Sequence, residues 1–297
     1  MYFLSDLEHK LLIHKLLPTA RSAGVSAELR GWNWHQPPLK PYYDEQIPMY
    51  TASSKYCPTS RDIFLAQVKK VRPQPNPDVS MGITLHRAVS GSLHAFVDSK
   101  GIPFEEWWTK NLTAEVVGDL ELLRRRAEKV WNYVQGECKA RYQRISADQP
   151  FASDRDLMSS AVPFLFEHKI SGQLLGLSGI LSLDCYDYLR GVMFDMKVET
   201  RPESKPEDWH RISPVGYSLV FESVNEVPVD ICCVLYLGFV GDRIVIKKDL
   251  FFANDDLRSW WVEERDKKLE IVGQRKDPGV ANACPPTCIY LHECRGE

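Results

Sequence analysis

Long apolar runs are missing from this 297-residue chain. The longest extends only from Ile231 to Val240, about half of the roughly 20 residues needed to span a bilayer, so no membrane segment is expected. A surplus of charge is missing too. The net charge is −3, which rules out DNA binding by a whole-protein positive field and leaves that task to local patches. The opening residues, Met-Tyr-Phe-Leu-Ser-Asp-Leu-Glu, lack the basic start and apolar stretch of a secretory leader. This predicts a cytoplasmic protein, in which disulfides are disfavoured. There is no internal repeat or low-complexity tract. What remains is globular material, 44% hydrophobic and 26% charged, in a length that suits one elaborated domain or two.

Local patterns divide that length. Ser5-Asp6-Leu7-Glu8 is a capping box opening a helix that Pro18 kinks or ends. A proline- and aromatic-rich stretch from Trp32 to Tyr50 reads as an ordered extended loop. Helices are predicted near 60–72, 80–98, 103–110 and 113–142, and Gln149 to Arg155 forms a polar break. Strands follow near 163–170, 176–187, 191–200, 215–223 and 229–249, then a helix from Asp255 to about Lys268. The class is α/β: a mainly helical region at 1–150, a mixed central sheet flanked by helices at 151–254, and a C-terminal helix with a cysteine-rich segment at 255–297. The densest basic patches, Arg124-Arg125-Arg126 with Lys129 and Lys69-Lys70 with Arg72, read as ordinary solvated helix faces.

The segment from Gly179 to Thr200 carries the strongest chemical signal. Its β-branched, aromatic and aliphatic residues surround a Leu189-Arg190-Gly191 turn and predict a hairpin. Counting outward from the turn, Asp184 stands against Asp195, with Cβ atoms roughly 5 Å apart. Alternation then sends Leu181, Leu183, Phe194, Met196 and Val198 toward a core and Ser182, Asp184, Asp195, Lys197 and Glu199 to a polar working face. Facing carboxylates repel, and a bound divalent cation removes the conflict. Magnesium and manganese prefer such oxygen ligands. A lysine beside them can orient or deprotonate a bound water and offset charge on a phosphorane-like transition state. Asp-x-Lys alone is common by chance, and the facing Asp184 distinguishes this one. Glu167, in the neighbouring strand, is a further acidic candidate, with a solvent-face charge as its plain alternative.

Cysteines form a second constellation. Cys284, Cys288 and Cys294 cluster near the C-terminus, and Cys57 stands alone far upstream. A local trio with one distant partner suits an iron-sulfur cluster; zinc, which tends to take two local pairs, is second and a disulfide third. Such a group would clasp the two ends of the chain. Cys138, Cys185, Cys232 and Cys233 have no ligand spacing and read as buried thiols.

Taken in order, the segments Leu29 to Trp32, Tyr56 to Asp62, Gly82 to His86, Leu175 to Ser178, Asp184, Asp195 to Lys197, Gly216-Tyr217, Leu257-Arg258, Glu264 to Lys267 and the terminal cysteines carry a resemblance. The chain resembles the archaeal CRISPR-associated, RecB-like iron-sulfur nucleases of the spacer-acquisition machinery, in particular the type I-A associated branch, over nearly its whole length. The resemblance implies a PD-(D/E)xK nuclease fold, a Mn2+ or Mg2+ ion, a [4Fe-4S] cluster and DNA, single-stranded or as overhangs, as substrate. It also implies partnership with the CRISPR integrase and other adaptation proteins. It makes His86, Asp184 and Asp195 the metal ligands, Lys197 the catalytic lysine, and Cys57, Cys284, Cys288 and Cys294 the cluster ligands. On its own pattern, His86 is a lone histidine on an amphipathic helix beginning near Ser80.

Two departures stand out. The Q-x-x-x-Y motif of RecB-like nucleases has Ser213 in place of its glutamine, while Tyr217 is retained to stack on a base or bind a phosphate. Many relatives have Glu at the position of Asp195. The expected function is a metal-dependent DNA exonuclease. The alternatives are a non-catalytic iron-sulfur DNA-binding scaffold of the adaptation complex and a zinc-stapled endonuclease.

Overall fold

Parallel neighbours in a sheet demand a crossover connection, and one such pair organises this molecule. The structure is a computed structural model in which residues 1–73, 76–98, 101–111, 116–199, 207–284 and 288–295 are described. Its five-stranded sheet runs in the order β1 (Phe164–Ile170), β2 (Leu181–Asp187), β3 (Val192–Glu199), β4 (Ile231–Val240), β5 (Arg243–Phe252). Among these five strands only β3 and β4 pair in parallel. The β2–β3 turn closes as predicted: Asp187 Oδ1 accepts the amides of Leu189 and Arg190, and Gly191 takes a φ of +65°.

The helices in chain order are α1 (Asp6–Leu11), α2 (Leu17–Ala23), α3 (Met49–Ser53), α4 (Arg61–Ile63), α5 (Pro77–Val97), α6 (Phe104–Asn111), α7 (Leu120–Asp148), α8 (Asp154–Ala161), α9 (Ile212–Asn225), α10 (Asp255–Gln274) and α11 (Leu291–Arg295). The Ser5 capping box is present, and Pro18 does not end the helix: α1 runs through a π-helical turn at Leu12–Leu16 straight into α2, and the proline follows that turn. The predicted limits at residues 113 and 200 lie outside the described residues.

The strand expected at 215–223 is instead part of α9. Val215-Gly-Tyr-Ser-Leu-Val-Phe221 has strand-like composition, but a continuous apolar run also suits a buried helix, and nearly all of α9 is buried. The parallel β3–β4 pair decides between them, because a helix is the usual way to carry the chain back to the start of a parallel neighbour.

Both faces of the sheet are covered. On one side the N-terminal residues Met1–Leu4, α5 and α7 pack on Phe194, Met196 and Leu235. On the other, α3, α9 and α10 pack on Met193, Val234 and Tyr236. Strand β4 is accordingly buried from Ile231 to Phe239, as a strand enclosed on both faces must be. The expected core and solvent faces of the hairpin are therefore corrected. Phe194 and Met196 join the first core, whereas Leu181 and Leu183 join the second. The alternation breaks opposite Glu167, which holds a φ of +47° within β1 and drops out of the β1–β2 register. Sequence periodicity carries no sign of that kink.

The second side is locked by buried charge. Arg258 and Glu222, both with fully buried side chains, meet at 2.8 and 2.9 Å, and Arg258 also donates to the carbonyls of Leu29, Val229 and Ala253. Glu222 accepts from Arg30 and from the Gly31 amide. Breaking such a pair by removing one partner typically costs about 3–5 kcal/mol. The Leu29-to-Trp32 and Leu257-Arg258 motifs thus tie α9 and α10 to the N-terminal region.

Candidate active site

The β2–β3 ladder is short. Its pairs end at Cys185 with Phe194, and the next step of the same register sets Asp184 against Asp195. There the strands separate, and Asp184 Oδ2 accepts the Met196 amide at 2.7 Å in place of a cross-strand carbonyl. The split opens a cavity of about 360 Å³. Into it come Asp184, Asp195, Met196 and Lys197 from the sheet, His86 from α5, Ser213 and Tyr217 from α9, and Trp209 and His210 from the short turn before α9. Tyr50 and Ser53 of α3, with Ser54 after it, complete the wall.

His86 Nδ1 lies 3.7 Å from Asp184 Oδ1. Asp195 Oδ1 accepts from Ser213 Oγ at 2.7 Å. Asp195 Oδ2 is 2.8 Å from Lys197 Nζ, yet no aligned donor reaches it, and it is a buried oxygen without a hydrogen bond. An unaligned ion-pair contact satisfies charge but not the oxygen's lone pairs.

The electrostatics follow from crowding. Burial pushes the Asp184 carboxyl above its usual range; His86 opposes this and Asp195 adds to it by repulsion. Burial disfavours charge on Lys197 as well, but Asp195 and Asp184 outweigh it and raise the ammonium above its ordinary value. Lys197 is therefore a fixed cation here. Burial, reinforced by Asp184 and Asp195, drives the Tyr217 phenol up, so Tyr217 presents a neutral O–H. Burial and then Lys197 lower His210, whose Nδ1 pairs with Tyr236 Oη at 3.1 Å.

The sequence-predicted residues His86, Asp184, Asp195, Lys197 and Tyr217 thus meet in one cavity. Glu167 does not join them and instead approaches His94 at 3.7 Å. His210, Trp209, Tyr50, Ser53 and Ser54 went unmarked. The spacing of Ser213 and Tyr217 was a usable signal, because residues four apart share one helix face.

The other constellation lies where the chain ends meet. Arg61 Nε and a terminal nitrogen bind Asp277 at 3.0 and 2.9 Å, and Thr59 Oγ1 donates to the Gly279 carbonyl at 2.8 Å. Cys57, Cys284, Cys288 and Cys294 are all unpaired and partly exposed. Burial raises the Cys288 thiol, the Tyr290 backbone opposes this, and Cys284, Cys294 and Cys57 each add to the rise, which puts those three within electrostatic range of Cys288. Residues 285–287 of the Cys284-to-Cys288 motif lie outside the described residues. Cys138, Cys185, Cys232 and Cys233 are buried free thiols, in line with their lack of spacing. Among the described residues no three His, Cys, Asp or Glu side chains converge tightly enough to make a finished metal site. In donor chemistry, however, both sets fit. The pocket offers carboxylate oxygens, one of them orphaned, and an imidazole; the chain ends offer four thiols.

The first basic patch is mostly paired surface, although Arg126 is half-buried over the Phe239 ring. Arg124 pairs with Glu105, and Arg125 and Lys129 with Asp242. Among the described residues no helix is long and apolar enough to cross a membrane.

A mixed α/β fold, with a cavity where two carboxylates, a charged lysine and a histidine meet at a split hairpin, defines the class: an enzyme equipped for an anionic substrate. The comparison with known families makes it particular. Residues 1–297 match the family described as CRISPR-associated exonuclease Csa1, and the chain belongs to that family; it is an exonuclease. It is similar to the CRISPR-associated exonuclease Csa1 of Thermoproteus tenax, 28% identical over 295 residues that cover 98% of this chain and 99% of the relative. It is equally similar to the protein of that name in Saccharolobus solfataricus, 28% identical over 280 residues, or 91% and 92% of the two chains.

Proposed function

We propose that this chain is a metal-dependent DNA exonuclease with a RecB-like, PD-(D/E)xK core, hydrolysing phosphodiester bonds in single strands or overhangs during CRISPR spacer acquisition. The observation that carries this reading is the convergence of Asp184, Asp195 and Lys197 in one cavity. His86, Asp184 and Asp195 would hold Mn2+ or Mg2+, which supplies water activation and neutralises phosphate charge. Ser213 holds Asp195 in one orientation through its 2.7 Å hydrogen bond, standing where the family's glutamine would reach outward. Lys197, kept cationic by the two carboxylates, offsets charge that builds on the phosphate oxygens. Tyr217 keeps its proton and can donate to a phosphate oxygen.

Cys57, Cys284, Cys288 and Cys294 would hold a [4Fe-4S] cluster whose role is to clasp the segment at 255–297 to the helical region at 1–150, with the sheet region at 151–254 as the nuclease core. The family assignment also supports DNA as substrate, and the resemblance of the motifs suggests a place beside the CRISPR integrase and other adaptation proteins. Digestion of end-labelled single- and double-stranded DNA with Mn2+, by wild type and by Asp195→Ala, tests the reading. Cleavage by the first and none by the second is expected. A coloured protein that cleaves no DNA format with either metal would replace the enzyme with an iron-sulfur scaffold.

A further inference from the structure

Two aromatic side chains at the cavity have no part in the chemistry above. Tyr50 is 71% exposed and Trp209 is half-buried, yet both line the same cavity as Asp184, Asp195 and Lys197. A single exposed aromatic needs no explanation by itself. What separates these two from ordinary surface is how firmly each is held at the edge of a reactive site.

Tyr50 projects from α3, a helix of only five residues. Lys268, 1% exposed, reaches from α10 to donate to the Ala52 and Ser54 carbonyls at 2.7 and 2.6 Å, pinning the end of that helix. Burying an ammonium is costly, and burial pulls Lys268 below its ordinary range despite Glu264 alongside. That cost is spent on fixing the backbone that carries Tyr50. Trp209 is held in another way. Its ring packs on His210 with centroids 4.2 Å apart, its Nε1 donates to Glu207, and His210 is anchored on Tyr236 of β4. The Trp209 ring and the backbone that carries Tyr50 are therefore set before any substrate arrives, which lowers the ordering cost of binding.

We propose that Tyr50 and Trp209 are base-stacking residues that make the site selective for an unpaired strand. The proposal rests on reading the cavity as the place where a phosphodiester is cut. With a backbone phosphate beside Lys197, the bases flanking it lie along the cavity walls. In an unpaired strand those bases are free to stack on the two rings; in a duplex they are already stacked on each other and paired. Every base offers a π-face, so stacking confers strand selectivity without sequence preference.

The test compares binding by the full-length protein of a labelled thymidine oligonucleotide and a strand of equal length without bases, by fluorescence anisotropy with calcium as the divalent ion. Wild type should bind the base-bearing strand about ten- to a hundredfold more tightly, the range expected for one or two stacked bases. Tyr50→Ala and Trp209→Ala should each shrink that ratio by roughly fivefold or more, the double variant should bring it near one, and Tyr50→Phe should restore it. Circular dichroism checks that each variant is folded. A wild-type ratio near one, a ratio unchanged in the folded double variant, or equal weakening on both strands would overturn the proposal. Failure of wild type to cleave DNA would sink the proposed function instead, and the binding ratio would still decide the stacking.

Discussion

The pocket and the cysteine end are built on opposite principles. In the pocket each reactive group is held by the sheet or a helix packed on it: Asp184 by the Met196 amide, Asp195 by Ser213, and Lys197 by its ion pair with Asp195 and its pairing to Tyr236 of β4. At the cysteine end, among the described residues, Phe64, Leu65 and Tyr290 form a small buried cluster with partly buried neighbours such as Val68 and Ile271; α4 continues through a π-helical turn only to Val68, and α11 is five residues long. Such an end owes little to apolar burial. Its order would come from polar contacts and from the cluster proposed above, whereas the pocket is preorganised without a ligand. A fold of this kind can lose one region and keep the other.

The largest effects should separate them. Asp195→Ala or Lys197→Ala is expected to lower DNA cleavage by more than about a hundredfold, the usual scale for losing a ligand or a charge-stabilising group. Colour and melting temperature should stay close to wild type. Cys288→Ala should do the reverse to the structure: loss of visible colour, poor solubility, and rapid proteolysis at both chain ends, because metal binding and folding are coupled. A soluble, colourless and fully active Cys288→Ala protein would erase the contrast and with it the structural role of the cluster.

Next in size is a change that enters the pocket through the core. Gly216 lies against Trp261, and a Cβ built there would stand 2.1 Å from Trp261 Nε1 and 2.8 Å from Met49 Sδ. Gly216→Ala must push α9 away from α10, at about 1–3 kcal/mol. Ser213 and Tyr217 ride on α9, so thermal stability and cleavage should fall together while the colour persists. Colour lost in step with stability would mean that the two ends share one cooperative unit.

What the sequence reveals follows the same division. Counting outward from the Gly191 turn gives the register of the three pairs that form, Asp187 with Val192 to Cys185 with Phe194, because a hairpin's register is fixed by its turn; the next pair, Asp184 with Asp195, falls where the strands split. The faces around them could not be counted, since the kink at Glu167 reverses the alternation and nothing in Phe166-Glu167-His168 announces it. The second layer over the sheet was hidden for another reason. Residues 215–223 match strand composition, and only the parallel partner β4 makes them a helix. His210 and Trp209 reach the pocket through that helix's entry turn, so missing the helix meant missing them. Of the resemblance motifs, those around Arg258 and Arg265 prove to be tethers, with Arg265 donating to the Leu39 and Pro38 carbonyls.

The smallest expected effect probes the polar half of the cysteine end alone. Hydrogen bonding to Arg61 holds the Asp277 carboxyl below its usual range. A depressed folded-state pKa means that the stabilisation is fully present above the ordinary carboxylate range and is lost as pH falls through the depressed value. The pair is partly open to solvent, with 37% of the Asp277 side chain exposed, so it contributes under about 1 kcal/mol and is screened by salt. Hydrogen exchange near Gly279, whose amide is held by Asp277 Oδ1, should therefore quicken, relative to its intrinsic rate, in acid, in strong salt and in Arg61→Ala. Cleavage measured at neutral pH should not change with Arg61→Ala, because Arg61 and Asp277 do not line the cavity. If removing Arg61 slowed cleavage as well, the pocket would depend on the chain ends for more than their attachment, and the two regions would have to be treated as one device.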